Sequence, residues 1–319
     1  MLSNRSSLLV LITATVCLNL GCQIAQASTT PAASEMLVQT PAALPTSAAQ
    51  TPSAYFSVQV VGQGRPVILI PGLMSSPEVW QPVVEALKTT HQLHLVHLSG
   101  FAGKPAVEGA LLPKVHDDLL QYIDQQHLKK PVLIGHSLGA FMSYWLASSA
   151  PERTGPVIAV DGLPFLAPIF TRTNSTRVRD VKAQAEQMQQ FYRQLSPERF
   201  VATNAQGLQI QATSTEHQRQ VLTMSSQSDP AAVGQAIKEL LTTDLRGKLA
   251  NIQQPILLLG ASGALPAAAQ PQVETLYQQQ LAKAPHAQLR MNTQARHFIM
   301  LDDPRWLVAQ IQQFLQQSR

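Results

Sequence analysis

The stretch Val132-Leu133-Ile134-Gly135-His136-Ser137-Leu138-Gly139-Ala140-Phe141-Met142-Ser143-Tyr144-Trp145-Leu146 decides how this sequence is read. Val132, Leu133 and Ile134 form an uninterrupted apolar run, the pattern of a short strand buried on both faces. Phe141, Met142, Trp145 and Leu146 then recur at helical spacing. Between them, Gly135-His136-Ser137-Leu138-Gly139 fits G-x-S-x-G. A serine at such a turn sits on strained backbone. Side chains two positions to either side would collide, so glycine is needed at both. The helix starts at the serine, and its unpaired N–H groups face the hydroxyl. An ordinary glycine-rich turn would need neither the strand before it nor the helix after it.

Working outward, strands and helices alternate. Phe56 to Val61 and Val67 to Ile70 read as two strands around Gly62-Gln63-Gly64. Ser75 to Glu78 start a helix that carries Val79, Trp80, Val83, Val84 and Leu87 on one face. Leu93 to Leu98 is a strand, and Val115, Leu119, Tyr122 and Ile123 mark a helical face. Val157 to Val160, Ile256 to Leu259 and Gln288 to Met291 are further short strands, and Trp306, Val308, Ile311, Phe314 and Leu315 belong to a last helix. Apolar strands between amphipathic helices predict an α/β fold, a mostly parallel central sheet covered on both faces. From Gly162 to about Gln253 the alternation stops. That segment reads as a Gln-rich helical cap, expected at the carboxyl ends of the strands, where such sheets bind ligands.

The 319 residues suit one large domain with an insertion, preceded by segments that do not pack. Residues 1–27 read as a signal peptide: Arg5, an apolar run from Leu8 to Leu20, and the small-x-small site Ala25-Gln26-Ala27. This implies export to the periplasm or the extracellular space. Gly21-Cys22 offers the alternative of a lipoprotein anchored at Cys22, the one route to a membrane. Residues 28–53, rich in Ala, Pro, Ser and Thr, read as a flexible linker, and 54–319 as the folded domain. Cys17 and Cys22 both lie ahead of Ser28, so a chain cut there has no disulfide, thiolate site or cysteine nucleophile. The net charge of +4 is not gathered into any run of Lys or Arg, and nucleic acid is not an expected partner. His91, His94 and His97 lie in or beside a strand, where alternate residues share a face, so they should not converge on a metal. With no H-E-x-x-H and no dinucleotide fingerprint, the reading includes no metal and no cofactor.

The chain resembles the α/β-hydrolase superfamily, in its capped branch of serine esterases and related peptidases. The likeness spans about Tyr55 to Gln317. It rests on Ile70-Pro71-Gly72-Leu73, the Ser137 turn, Val160-Asp161 before the cap, and Ala295-Arg296-His297-Phe298. The resemblance implies Ser137 as nucleophile and His297, on the loop before the last helix, as general base. It implies an oxyanion hole from the backbone N–H groups of Leu73 and Leu138, although Pro71 stands where the family often has His. The acid departs from the family pattern. Its usual loop reads Gly260-Ala261-Ser262-Gly263-Ala264-Leu265-Pro266 and has no carboxylate. The family's other station, the end of the preceding strand, holds Asp161. Asp302 and Asp303 fall after the histidine and are expected to cap the helix that opens at Pro304. The expected activity is hydrolysis of a small-molecule ester or related acyl bond through Ser137, His297 and Asp161. The alternatives are an acyltransferase, or a slow or non-catalytic ligand-binding module, a reading that the empty acid loop keeps open.

Overall fold

A computed structural model describes residues 53–318. The signal-peptide and linker readings, with Cys22, lie outside the described residues. The strands are β1 (Phe56–Val61), β2 (Arg65–Ile70), β3 (His91–Leu98), β4 (Val132–His136), β5 (Val157–Val160), β6 (Ile256–Ala261) and β7 (Ala287–Asn292). They form one sheet in the order β1-β3-β2-β4-β5-β6-β7. Only β1 runs antiparallel to its neighbour.

The two strands read around Gly62-Gln63-Gly64 are not paired with each other, because β3 lies between them. The turn crosses the start of β3. A Cβ on Gly62 would lie 2.4 Å from Lys88 O, and one on Gly64 would lie 2.2 Å from Thr90 O. Bare backbone at both positions permits the crossing.

Helices α1 (Gln81–Leu87), α2 (Leu112–Gln125), α3 (Leu138–Ser149), α10 (Gln270–Gln280) and α12 (Pro304–Gln317) flank the sheet, with a short α11 (Ile299–Asp302) before α12. The period-two pleat sends alternate strand residues to opposite faces. Val67, Leu69, Leu93, Leu95, Val132 and Ile134 pack with Val83 and Val84 of α1 and Ile311 and Phe314 of α12. Ile68, Ile70, Val96, Leu98 and Leu133 pack with Leu119 and Tyr122 of α2 and Phe141 and Met142 of α3. Both faces are buried, and this is why these strands are apolar throughout.

Between β5 and β6 the chain forms α4 (Ala167–Thr171), α5 (Val178–Arg193), α6 (Pro197–Ala205), α7 (Leu208–Gln211), α8 (Thr215–Ser226) and α9 (Pro230–Thr242), with no strand. Helices α5 and α9 pack closely, since a Cβ on Gly234 would lie 2.8 Å from Gln189 O. The segment docks on the sheet domain at several points. Glu239 of α9 accepts the N–H groups of Leu111 and Leu112, at 3.1 and 2.8 Å, at the start of α2. Asp229 N donates to Gly100 O at 2.8 Å. Within the segment itself, Arg246 donates to Thr176 O at 2.7 Å and to Asp244 Oδ2 at 2.6 Å, and its guanidinium lies 4.7 Å over the Phe165 ring.

The three histidines near β3 have separate neighbours. His94 Nδ1 is 2.6 Å from Tyr122 Oη, His97 Nε2 is 3.0 Å from Phe101 O, and His91 Nδ1 is 2.9 Å from Thr90 Oγ1. Burial lowers the His94 imidazole from 6.5 to about 4, and lowers His97, His116 and His136 as well. The His94 and His136 rings, the most strongly lowered, stay neutral in the folded protein but bind a proton in the unfolded chain below about pH 6.5. The unfolded state then holds more protons, so stability is full above that pH and falls as the pH drops through it. Urea denaturation between pH 7.5 and 5 should show a loss of about 1.4 kcal/mol per pH unit below 6.5 for each ring that stays neutral. His94→Asn should flatten the slope, and a midpoint constant across this interval would contradict the assignment.

Candidate active site

Ser137 stands between β4 and α3 with φ 54 and ψ −113, a left-handed value rare for a side chain with a Cβ. The flanking glycines are required by contact. A Cβ on Gly135 would lie 2.1 Å from the Gly139 carbonyl, and one on Gly139 would lie 2.0 Å from Ile70 O. The second approach sets α3 directly on the loop after β2, beside the residues expected to supply an oxyanion donor. Leu73 and Leu138 both border the cavity that contains Ser137. Leu138 is the first residue of α3, where a helix leaves its N–H without an intrahelical acceptor. Gly72 makes room as well, because its Cβ would lie 3.2 Å from Ser137 Cβ.

His297 and Asp161, 136 residues apart in the chain, meet at this cavity. His297 Nδ1 is 2.6 Å from Asp161 Oδ2. A carboxylate only accepts, so Nδ1 carries the proton and Nε2 is left as the basic nitrogen. Asp161 follows β5 with φ 43, and its side chain is 7% exposed. Its other oxygen, Oδ1, accepts the Ala261 N–H at 2.8 Å and the Tyr277 hydroxyl at 3.0 Å. The loop that lacks a carboxylate therefore contributes a backbone donor to the carboxylate of the neighbouring strand. Its middle is closed to side chains, since a Cβ on Gly263 would lie 2.1 Å from Gln294 O.

His136, inside the serine turn, is a second imidazole at the site. It is fully buried, its ring centre 4.6 Å from that of His297 and 4.7 Å from that of Phe298. Its Nε2–H donates to His297 O at 3.0 Å. Burial, reinforced by the adjacent His297, holds it well below its ordinary value, so it remains neutral and serves as a backbone support.

The histidine loop is also bonded to the cap. Phe298 N donates to Gln211 O at 2.9 Å, and His297 N to Ile210 O at 3.4 Å. Arg296 donates from its guanidinium to Gln209 O and, at 3.1 Å, to Ala212 O. The expected pair of helix caps divides here. Asp303 caps α12 through Trp306 N at 3.1 Å. Asp302 instead accepts from Arg296 N at 2.9 Å, Thr213 N at 2.9 Å and Thr213 Oγ1 at 2.8 Å, tying the histidine loop to the cap. Tyr277, His136 and Asp302 carry no motif, and only the position of His136 beside Ser137 marked it in the sequence.

The cavity measures about 260 Å³. Apolar side chains from α3 (Phe141), the cap (Leu166, Phe170, Ile237, Leu240) and α10 (Val273) form much of its wall. No group of metal-ligating side chains occurs among the described residues.

A strained serine between strand and helix, a carboxylate-bound histidine and a helical cap over a parallel sheet define the α/β-hydrolase class. The chain belongs to the alpha/beta hydrolase family, whose sequence model matches residues 67–310, and it is a hydrolase. It is similar to the pimeloyl-(acyl-carrier protein) methyl ester esterase of Vibrio parahaemolyticus, with 28% identity over 81% of this chain and 97% of the relative. The enzyme of the same name from Vibrio vulnificus is 26% identical over 63% of this chain and 76% of the relative. Among solved structures, a hydrolase from Pseudomonas aeruginosa shares the fold with a TM-score of 0.67 and 18% identity, over 82% of this chain and 94% of that one.

Proposed function

We propose that the protein hydrolyses carboxylic esters of small molecules through an acyl-enzyme on Ser137. The observation that carries this reading is the 2.6 Å contact between His297 Nδ1 and Asp161 Oδ2, at the cavity that also holds the strained Ser137. In this mechanism Ser137 Oγ attacks the ester carbonyl carbon while its proton passes to His297 Nε2. The N–H groups of Leu73 and Leu138 receive the charge that develops on the carbonyl oxygen. His297 returns the proton to the departing alcohol. It then takes one from water, which attacks the acyl carbon and releases the acid and Ser137. Asp161 keeps Nδ1 protonated and offsets the imidazolium charge. The apolar wall suits an acyl chain. The methyl ester esterases among the relatives favour an ester with a small alcohol.

A fluorophosphonate probe tests the reading. Mass spectrometry should find the adduct on the peptide containing Ser137, and labelling should abolish turnover of p-nitrophenyl butyrate. Adduct on any other residue, with activity lost in parallel, would reject the assignment. Adding an alcohol separates the hydrolase from an acyltransferase. A hydrolase continues to release mainly butyrate, whereas an acyltransferase diverts the acyl group into the new ester.

A further inference from the structure

We propose that Tyr277 is a positioning residue for the acid–base pair, its hydroxyl holding Asp161 in the orientation that meets His297. The proposal rests on the reading of Ser137, His297 and Asp161 given above. The two oxygens of Asp161 have separate duties. Oδ2 faces His297 Nδ1 at 2.6 Å, while Oδ1 is held from two directions, by Ala261 N at the end of β6 and by Tyr277 Oη from α10. With Oδ1 fixed twice, rotation of the carboxylate is blocked and Oδ2 has one direction left. Such restraint matters because Asp161 sits on left-handed backbone at the edge of a cavity, with no helix to hold it.

The surroundings are built to let the tyrosine reach. A Cβ on Gly260 would lie 2.8 Å from the Tyr277 ring, so bare backbone in β6 leaves the ring its path. Tyr277 is 6% exposed. Burial and the Asp161 charge keep its hydroxyl well above its ordinary value, so it stays a donor. A desolvated carboxylate is stable only when donors replace the lost water, and Tyr277 is one of them. The ionisable groups around this centre are Asp161 just after β5, His136 on β4, His297, and Tyr144 on α3, which acts electrostatically on Tyr277. The Arg296 guanidinium, next in the chain, is bound to Gln209 O and Ala212 O.

The test is Tyr277→Phe, which removes one oxygen, read with p-nitrophenyl butyrate. kcat should fall about tenfold, as for loss of one hydrogen bond to a charged group, with KM within about twofold of the parent. The acidic limb of kcat/KM should move to higher pH. Without a donor at Oδ1 the carboxylate charge is less satisfied and stabilises the His297 imidazolium more. In an Asp161→Asn background the same change should add no further loss. Gly260→Ala, which crowds the ring and leaves the hydroxyl in place, should lower kcat in the same direction. Tyr277→Phe with unchanged kcat and pH profile would overturn the proposal. So would a rise in KM alone, or a loss that persists with Asp161→Asn, either of which would mean that Tyr277 touches the substrate. If Ser137 is still labelled in those cases, only this proposal fails. If Ser137 is not labelled, the reading beneath it fails.

Discussion

Ser137→Ala is expected to lower ester turnover by roughly 10⁴–10⁶, leaving what binding and the backbone donors supply. The size of the effect follows from the geometry. His136, the imidazole nearest to the lost hydroxyl in sequence, is enclosed and donates Nε2–H to His297 O, so it offers no substitute nucleophile. The fold should survive. Alanine keeps the Cβ at a position where φ is 54, and the glycines that make the turn possible are untouched. Circular dichroism and the thermal midpoint should match the parent while hydrolysis of p-nitrophenyl butyrate collapses. A folded variant with near-parental turnover would show that Ser137 is not the nucleophile.

Asp161→Asn should reduce turnover by roughly 10²–10⁴. The hydrogen bonds around this residue give the reason. Ala261 N and Tyr277 Oη both donate to Oδ1, so the amide oxygen of asparagine is held there. Its NH₂ group must then face His297 Nδ1. Two donors cannot share that contact, so Nδ1 gives up its proton and Nε2 carries it, which removes the base. The loss should fall on kcat, with KM nearly unchanged, and pH profiles of the two enzymes would show it. A decrease smaller than about tenfold would mean that another carboxylate orients His297.

The sequence was most legible where chemistry and local backbone impose the same demand. Gly135 and Gly139 have to be glycine because a Cβ at either would strike backbone about 2 Å away, and the apolar β4 before them has to be buried on both faces. Asp161 could be singled out because it directly follows a core strand. The contact with His297 depends on a separation of 136 residues that no local pattern encodes. Other features depend on packing alone. Nothing in Gly62-Gln63-Gly64 says that β3 will slide between β1 and β2, because the pairing is decided by long-range register. Tyr277 lies on α10, a glutamine-rich helix, and no local pattern marks its contact with Asp161, 116 residues away. Adjacent aspartates can look like twin caps, yet Asp303 meets its own helix while Asp302 turns to a segment about 90 residues earlier.

The bonds between residues 209–213 and 296–302 bear on how such enzymes can be diversified. A cap is an attractive module to exchange between relatives when new specificity is wanted. Here one edge of that module also seats the histidine loop. A chimera joined at the obvious boundaries, where β5 ends and β6 begins, would inherit a foreign acceptor pattern beneath Arg296, His297 and Phe298. Libraries that vary α4 and α5 but keep 207–217 and Glu239 of α9 native would leave that seat, and the anchor on α2, intact. Within one insertion, then, some segments are free to drift with the substrate, while another is bound to the fate of the histidine loop.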